Sequence, residues 1–147
     1  MWKKLKIFFY FKKMIQRART LIRNREETGE MVRKVRSKLN KQEIRDSLKG
    51  FLGKVQALVR LVDQYRLGNY RDISKKSIIL VAAGLLYFLS PIDAVPDILA
   101  GIGLVDDLAV ITYIWKTVDK EIKQFLHWEK EKPQNNDPKL DENDAIS

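Results

Sequence analysis

The sequence predicts an all-α fold: a small helical bundle built round an apolar helical hairpin, with a basic amphipathic N-terminal helix. Three observations carry this. Apolar residues recur at i, i+3, i+4 and i+7 from Glu43 to Leu67, the period of one helix face. No stretch has the strict alternation of a strand. From Ile78 to Trp115 there are 38 residues without Lys or Arg, enough for two helices enclosed by protein or lipid. At 147 residues the chain fits one domain with tails. The expected division is a basic amphipathic segment over 1–42, a helical domain over 43–128 with its signature at 78–114, and a disordered polar tail over 129–147.

Composition narrows the function. There is no cysteine, hence no disulfide framework and no thiolate metal site. His127 is the one histidine, which excludes a multi-histidine zinc site and counts against a Ser-His-Asp triad. No Walker-type phosphate loop is present. The formal charge of +9 calls for an anionic partner, phospholipid or nucleic acid. It is unevenly spread: residues 1–49 hold sixteen Lys and Arg against five acids, and residues 129–147 three Lys against six acids.

Taken in order, the first helix lies within Met1 to Ile22. Its apolar core, Ile7 to Phe11, is five residues, too short for a secretory signal. At helical spacing Phe8, Phe11, Ile15, Ala18 and Ile22 share a face, with Lys6, Lys12, Lys13 and Arg17 towards the other. Such a helix suits a membrane interface, and Lys3, Lys4, Phe8, Phe9, Phe11, Lys12 and Lys13 are the expected surface-binding residues. The alternative is an amphipathic helix packed on this protein's own core. Arg23 to Gln42 reads as a solvated, strongly basic helix or linker.

Glu43 to Leu67 reads as one packing helix, with Gly68 as its C-cap. Gly50 and Gly53 are expected to allow a close crossing. Ser74 or Asp72 caps the next helix. Ile78 to Leu89 is apolar on every side, yet its twelve residues make about 18 Å of helix, short of the roughly 30 Å hydrocarbon core. Ser90-Pro91-Ile92-Asp93 then reads as a fresh helix start, with Ser90 as N-cap and Asp93 at the capping-box position. Pro96 interrupts that helix, and Gly101 and Gly103 release the chain into a turn. Asp106 and Asp107 are expected to open the returning helix, Leu104 to Ile122, where acids suit the dipole. Tyr113, Trp115 and Trp128 beside Lys116, Lys120 and Lys123 have the pattern of interfacial anchors, or of ordinary packing. His127 is expected on the surface.

The run Tyr87-Phe88-Leu89-Ser90-Pro91-Ile92-Asp93-Ala94-Val95-Pro96-Asp97, followed by Gly103-Leu104-Val105-Asp106-Asp107, resembles the signature of the YkvA-like family, a domain of unknown function. Val95 stands where the family pattern more often has Ile. The resemblance covers about a quarter of the chain. It implies a small bacterial membrane-associated protein, with a similar module in a RING-type ubiquitin ligase of endomembranes, and it implies no activity or substrate.

Three functions follow from the residues. The first is a non-enzymatic membrane protein with an integral or re-entrant hairpin, bound to anionic lipid and open to a protein partner in the membrane. Lys75 and Lys76 flank one end of the apolar block and Lys116 and Lys120 the other. The positive-inside rule then keeps the N- and C-terminal segments cytoplasmic. The second is a carboxylate site. Asp93, Asp97, Asp106 and Asp107 are the only charges between Ile78 and Trp115, and carboxylates in an apolar setting need a proton, a donor or a cation. Asp97 and Asp107 are the expected ligands if the ion is Mg²⁺ or Ca²⁺, while Asp93 and Asp106 read as caps. The third, ranked last, is nucleic-acid binding: charge permits it, but no reading motif is present. No catalytic residue is assigned.

Overall fold

The computed structural model describes the backbone of residues 2–94 and 100–131, and the side chains of residues 9–89 and 109–131. Among these, every regular element is helical: α1 (Trp2–Leu21), α2 (Arg25–Leu39), α3 (Gln42–Leu48), a 3₁₀ turn (Lys49–Phe51), α4 (Leu52–Leu67), α5 (Lys75–Ala94), α6 (Ala100–Thr117) and α7 (Asp119–Glu131). The fold class is all-α, as expected. Of the polar tail expected over 129–147, residues 129–131 are the last residues of α7, with Glu129 paired to Arg60; residues from 132 on lie outside the described ones.

α5 is the axis of the bundle. Ser74 caps it, its Oγ accepting from the Ser77 amide at 3.1 Å. Residues 81–88 are all buried, and α1, α2, α4 and α6 pack around them. An all-round apolar helix is stable in water only when enclosed, and each fully buried Leu or Phe contributes about 1.5–3 kcal/mol. One core cluster joins Met14 and Ala18 of α1 to Val32 of α2, Leu58 of α4, Phe88 of α5, Ile114 of α6 and Phe125 of α7.

Tertiary packing revises several local expectations. α2 is not a solvated run. Met31, Val32, Val35 and Leu39 bury one face, the i, i+1, i+4, i+8 stripe of an inward-facing helix. Asn24 caps it, accepting from the Glu27 amide at 2.9 Å. The single helix expected over Glu43–Leu67 is broken. Lys49 takes φ 45°, and the 3₁₀ turn that follows lets α3 and α4 diverge. Gly50 and Gly53 have open space where a Cβ would stand, so they mark this break and not a close crossing. The helix expected over Leu104–Ile122 is likewise two helices. α6 ends at Thr117 and α7 restarts at Asp119, with Asp119 and Glu121 in its first turn, where acids suit the dipole. Gly68 does cap α4, at φ 83°.

α7 is held to the bundle by polar contacts as well as by Ile122 and Phe125. Arg60 makes a forked pair with Glu129, at 2.8 and 3.1 Å, and Ser77 donates to Glu121 at 2.8 Å. Tyr70, 5% exposed, stacks against Phe125 and Trp128. Its hydroxyl has no partner among the described residues. Burial raises its pKa above the ordinary 10.0, and the carboxylates of Asp72 and Glu121 add to this.

The closest approach among the described glycines is at Gly84, where an added Cβ would overlap Ile114 Cδ1. Ile114 is wholly buried and has nowhere to retreat. Gly84→Ala is therefore expected to destabilise by about 1–2 kcal/mol despite the gain in helix propensity. In an Ile114→Val background, which lacks Cδ1, the same change is expected to stabilise. Thermal melts of the four proteins test this, and simple additivity would refute the contact. For Tyr70→Phe the expected result is stabilisation by about 1 kcal/mol, because a buried unpartnered hydroxyl is removed. The raised phenol pKa stabilises the fold fully below pH 10 and is lost as pH rises through the folded value. The wild type should thus lose stability above pH 10 more steeply than the variant, and parallel profiles would sink that account.

Candidate functional site

α1 and α5 are antiparallel. Tyr10 and Phe11, early in α1, meet Tyr87, late in α5, edge-on at 5.6 and 6.2 Å between ring centres. At the other end Ile22 and Lys75 line one pocket. The first turns of α1 therefore run alongside the last turn of α5. One pole of the bundle therefore collects the start of α1 and the end of α5, which carries Ser90-Pro91-Ile92-Asp93.

Several expected site residues fall differently from their sequence reading. Ser90, Pro91 and Asp93 do not start a helix: α5 continues through them to Ala94. An N-cap needs non-helical backbone, which Ser90 lacks. Pro91 instead leaves the Tyr87 carbonyl without its usual i+4 amide, a local cost that the packing of α5 outweighs. Asp106 and Asp107 do not open the returning helix. α6 begins at Ala100, which puts both acids in its second turn, past the reach of the dipole. Gly101 and Gly103 lie inside α6 and not in a turn. Pro96 and Asp97 lie outside the described residues, as do the side chains of Asp93, Asp106, Asp107, Lys3, Lys4 and Phe8. Among the described residues no group of three or more acids or histidines is placed to hold a metal.

Of the expected surface-binding residues that are described, Phe9 is 60% exposed and Lys12 and Lys13 are exposed, whereas Phe11 is half-buried on Tyr87. Tyr113 is exposed at 57%. Trp115 lies under the Lys54 ammonium, 5.3 Å from the ring centre, and Trp128 packs on Phe125 and Tyr70. His127 is on the surface, 3.4 Å from Glu131.

The residue that sequence reasoning missed is Lys38. It is 8% exposed. Its ammonium donates to the Phe88 carbonyl and lies 4.1 Å from the Phe88 ring centre, inside the signature run. The signal was available: Lys38 falls three residues after Val35 and seven after Met31, on the buried stripe of α2. A cleft of about 570 Å³ opens beside it, lined by Lys34, Lys38 and Lys41 together with Ile44, Leu86 and Leu89 among others. A buried, desolvated lysine must keep its partners or lose stability. Lys38→Met retains the stem and deletes the charge, and should cost about 1.5–3 kcal/mol. Lys34→Met and Lys41→Met, at exposed positions, should stay within about 0.5 kcal/mol. Urea unfolding separates these, and equal small effects would make Lys38 an ordinary surface cation.

An all-α bundle wrapped on an apolar helix that runs into Ser90-Pro91-Ile92-Asp93, with Asp106-Asp107 on the helix that follows, defines a recognisable class. The family described as a protein of unknown function, DUF1232, matches residues 77–113, and the chain belongs to this YkvA-like family. The uncharacterized membrane protein YkvA of Bacillus subtilis (strain 168) is 32% identical over 74 residues, covering 50% of this chain and 70% of that one. No solved structure matches the chain.

Proposed function

We propose that this protein is a non-catalytic, membrane-associated bundle that docks on anionic lipid by the pole where the start of α1 meets the signature. The carrying observation is that shared pole. WKKLKIFF, the first eight residues of α1, extends past the Tyr10–Tyr87 contact beside the end of the hairpin that has no Lys or Arg and carries the signature aspartates. Aromatic and basic residues so placed insert rings among headgroups while their cations meet phosphate. The membrane name of the Bacillus relative supports the same reading.

The mode we favour is interfacial or re-entrant. The apolar surface of α5 is spent on α1, α2, α4 and α6, so little of it is left to face lipid. No helix among the described residues is long and apolar enough to cross a membrane. Lys75 lines the pocket at the opposite pole, and Lys76 beside it and Lys120, next to the Ser77–Glu121 contact, stay with it on the aqueous side.

Sedimentation with vesicles tests this. Binding should require anionic lipid. Phe9→Asp should weaken it about tenfold or more, since one inserted ring is lost. Lys12→Gln with Lys13→Gln should weaken it by about 1 kcal/mol per residue, and less in high salt. Tyr113→Asp, far along α6, should leave it within about twofold. Loss with Tyr113→Asp and none with Phe9→Asp would place the docking surface on the flank of the bundle and overturn the polar docking.

A further inference from the structure

The pole opposite the signature carries a second site, independent of the membrane reading. A pocket of about 350 Å³ lies between the α1–α2 turn and the α4–α5 connection, and Arg23, Arg25, Arg66, Arg71 and Lys75 line it with no carboxylate among its lining residues. We propose that this pocket binds a multiply charged phosphate group, as a phosphoryl ester or a pyrophosphate.

Two of its guanidiniums are held in place by the protein. Arg66 Nε is 2.7 Å from Asp63 Oδ1, and its guanidinium lies so close over Gly29 that an added Cβ would be 3.0 Å from it. Arg71 sits on the Tyr65 ring, 4.3 Å from its centre, and that ring is buried at 6% exposure. Pre-positioned planar forks match phosphate oxygens and lose little freedom on binding. Asp63 also accepts from Arg36 at 3.4 Å, so its charge is shared between two cations. Among the described residues Arg23, Arg25, Arg71 and Lys75 make no ion pair.

The charge arrangement is also wrong for stability alone. α5 starts at this pole with Lys75 and Lys76, and no acid stands in its first turn. Cations at a helix N-terminus oppose the dipole and cost stability, whereas a bound anion satisfies both at once. The nearby Glu121 carboxylate turns to another partner, accepting from Ser77, and Glu27 lines the cleft beside Lys38 and not this pocket. Asp72, beside Arg71 in sequence, is exposed and does not line the pocket. A solvated basic face needs neither the Gly29 seat nor the Tyr65 seat.

Calorimetry of the full chain with sodium pyrophosphate, against chloride at equal ionic strength, tests the site. The expected result is saturable one-to-one binding and a raised melting temperature. Arg25→Gln with Arg71→Gln should weaken binding about a hundredfold, roughly tenfold for each charged hydrogen-bond donor lost. Gly29→Ala, which removes no charge but displaces Arg66, should weaken it about tenfold. Lys12→Gln with Lys13→Gln, at the other pole, should leave it within about twofold. Phosphatidate vesicles identify the source of the phosphate. If the Arg25/Arg71 variant loses pyrophosphate alone, the ligand is soluble; if it also loses vesicle sedimentation, a headgroup occupies the pocket. No saturation by about 10 mM pyrophosphate, or equal weakening in the Lys12/Lys13 variant, overturns the site.

Discussion

The whole bundle answers one constraint: a helix with no charged residue between Ile78 and Leu89 must be removed from water. α5 is too apolar to expose on any face, so four helices surround it. α1 supplies the half-buried Tyr10, Phe11 and Ile15, α2 the Met31–Leu39 stripe, and α6 the Ile114 side chain that rests on Gly84. The other features follow from that enclosure. α2 must turn an inner face, which draws Lys38 inward and makes it seek the Phe88 carbonyl. α4 packs on α5 while α3 packs on α2 and α6, so the two are not one straight rod and the chain bends at Lys49.

Burial was legible in the sequence where periodicity was strong and ends were marked by backbone chemistry. Gly68 closed α4 because only a residue tolerant of positive φ suits that cap. Ser74 opened α5 because its hydroxyl satisfies a first-turn amide. Spacing grouped Phe11, Ile15, Ala18 and Ile22 on one face of α1, but it suggested a membrane surface first, and the face packs on the protein's own core. What failed were local signals that tertiary packing overrode. Ser90-Pro91-Ile92-Asp93 has every mark of a helix start, yet α5 runs on through it, since the apolar residues before it are already locked in the core. Asp106-Asp107 looked like a first turn, but α6 had begun at Ala100. α2 was misread because its eight Lys, Arg and acidic residues drown a narrow apolar stripe. Of the candidate site, the grouping of signature and N-terminal aromatics at one pole needed the antiparallel packing of α1 on α5, which no local pattern encodes.

The two poles differ in kind. At one, the chain gathers residues without Lys or Arg from α5 and α6 beside the start of α1, whose cations alternate with large apolar side chains. At the other, cations stand in fixed seats without rings between them to insert. Attraction to an anionic surface needs only charge, and screening weakens it with salt. Insertion needs apolar area as well, and Phe9 supplies it at the signature pole alone among the described ends. Charge by itself would orient the molecule with its arginine pole towards lipid; apolar area orients it the other way. A ring buried on insertion contributes about 1.5–3 kcal/mol, against about 1 kcal/mol for each cation near the surface. The start of α1 combines both, with Lys3, Lys4 and Lys6 among Trp2, Leu5, Ile7 and Phe8. Under the proposed docking the signature pole faces the bilayer and the arginine pole faces water, where the seated guanidiniums of Arg66 and Arg71 are open to a phosphate.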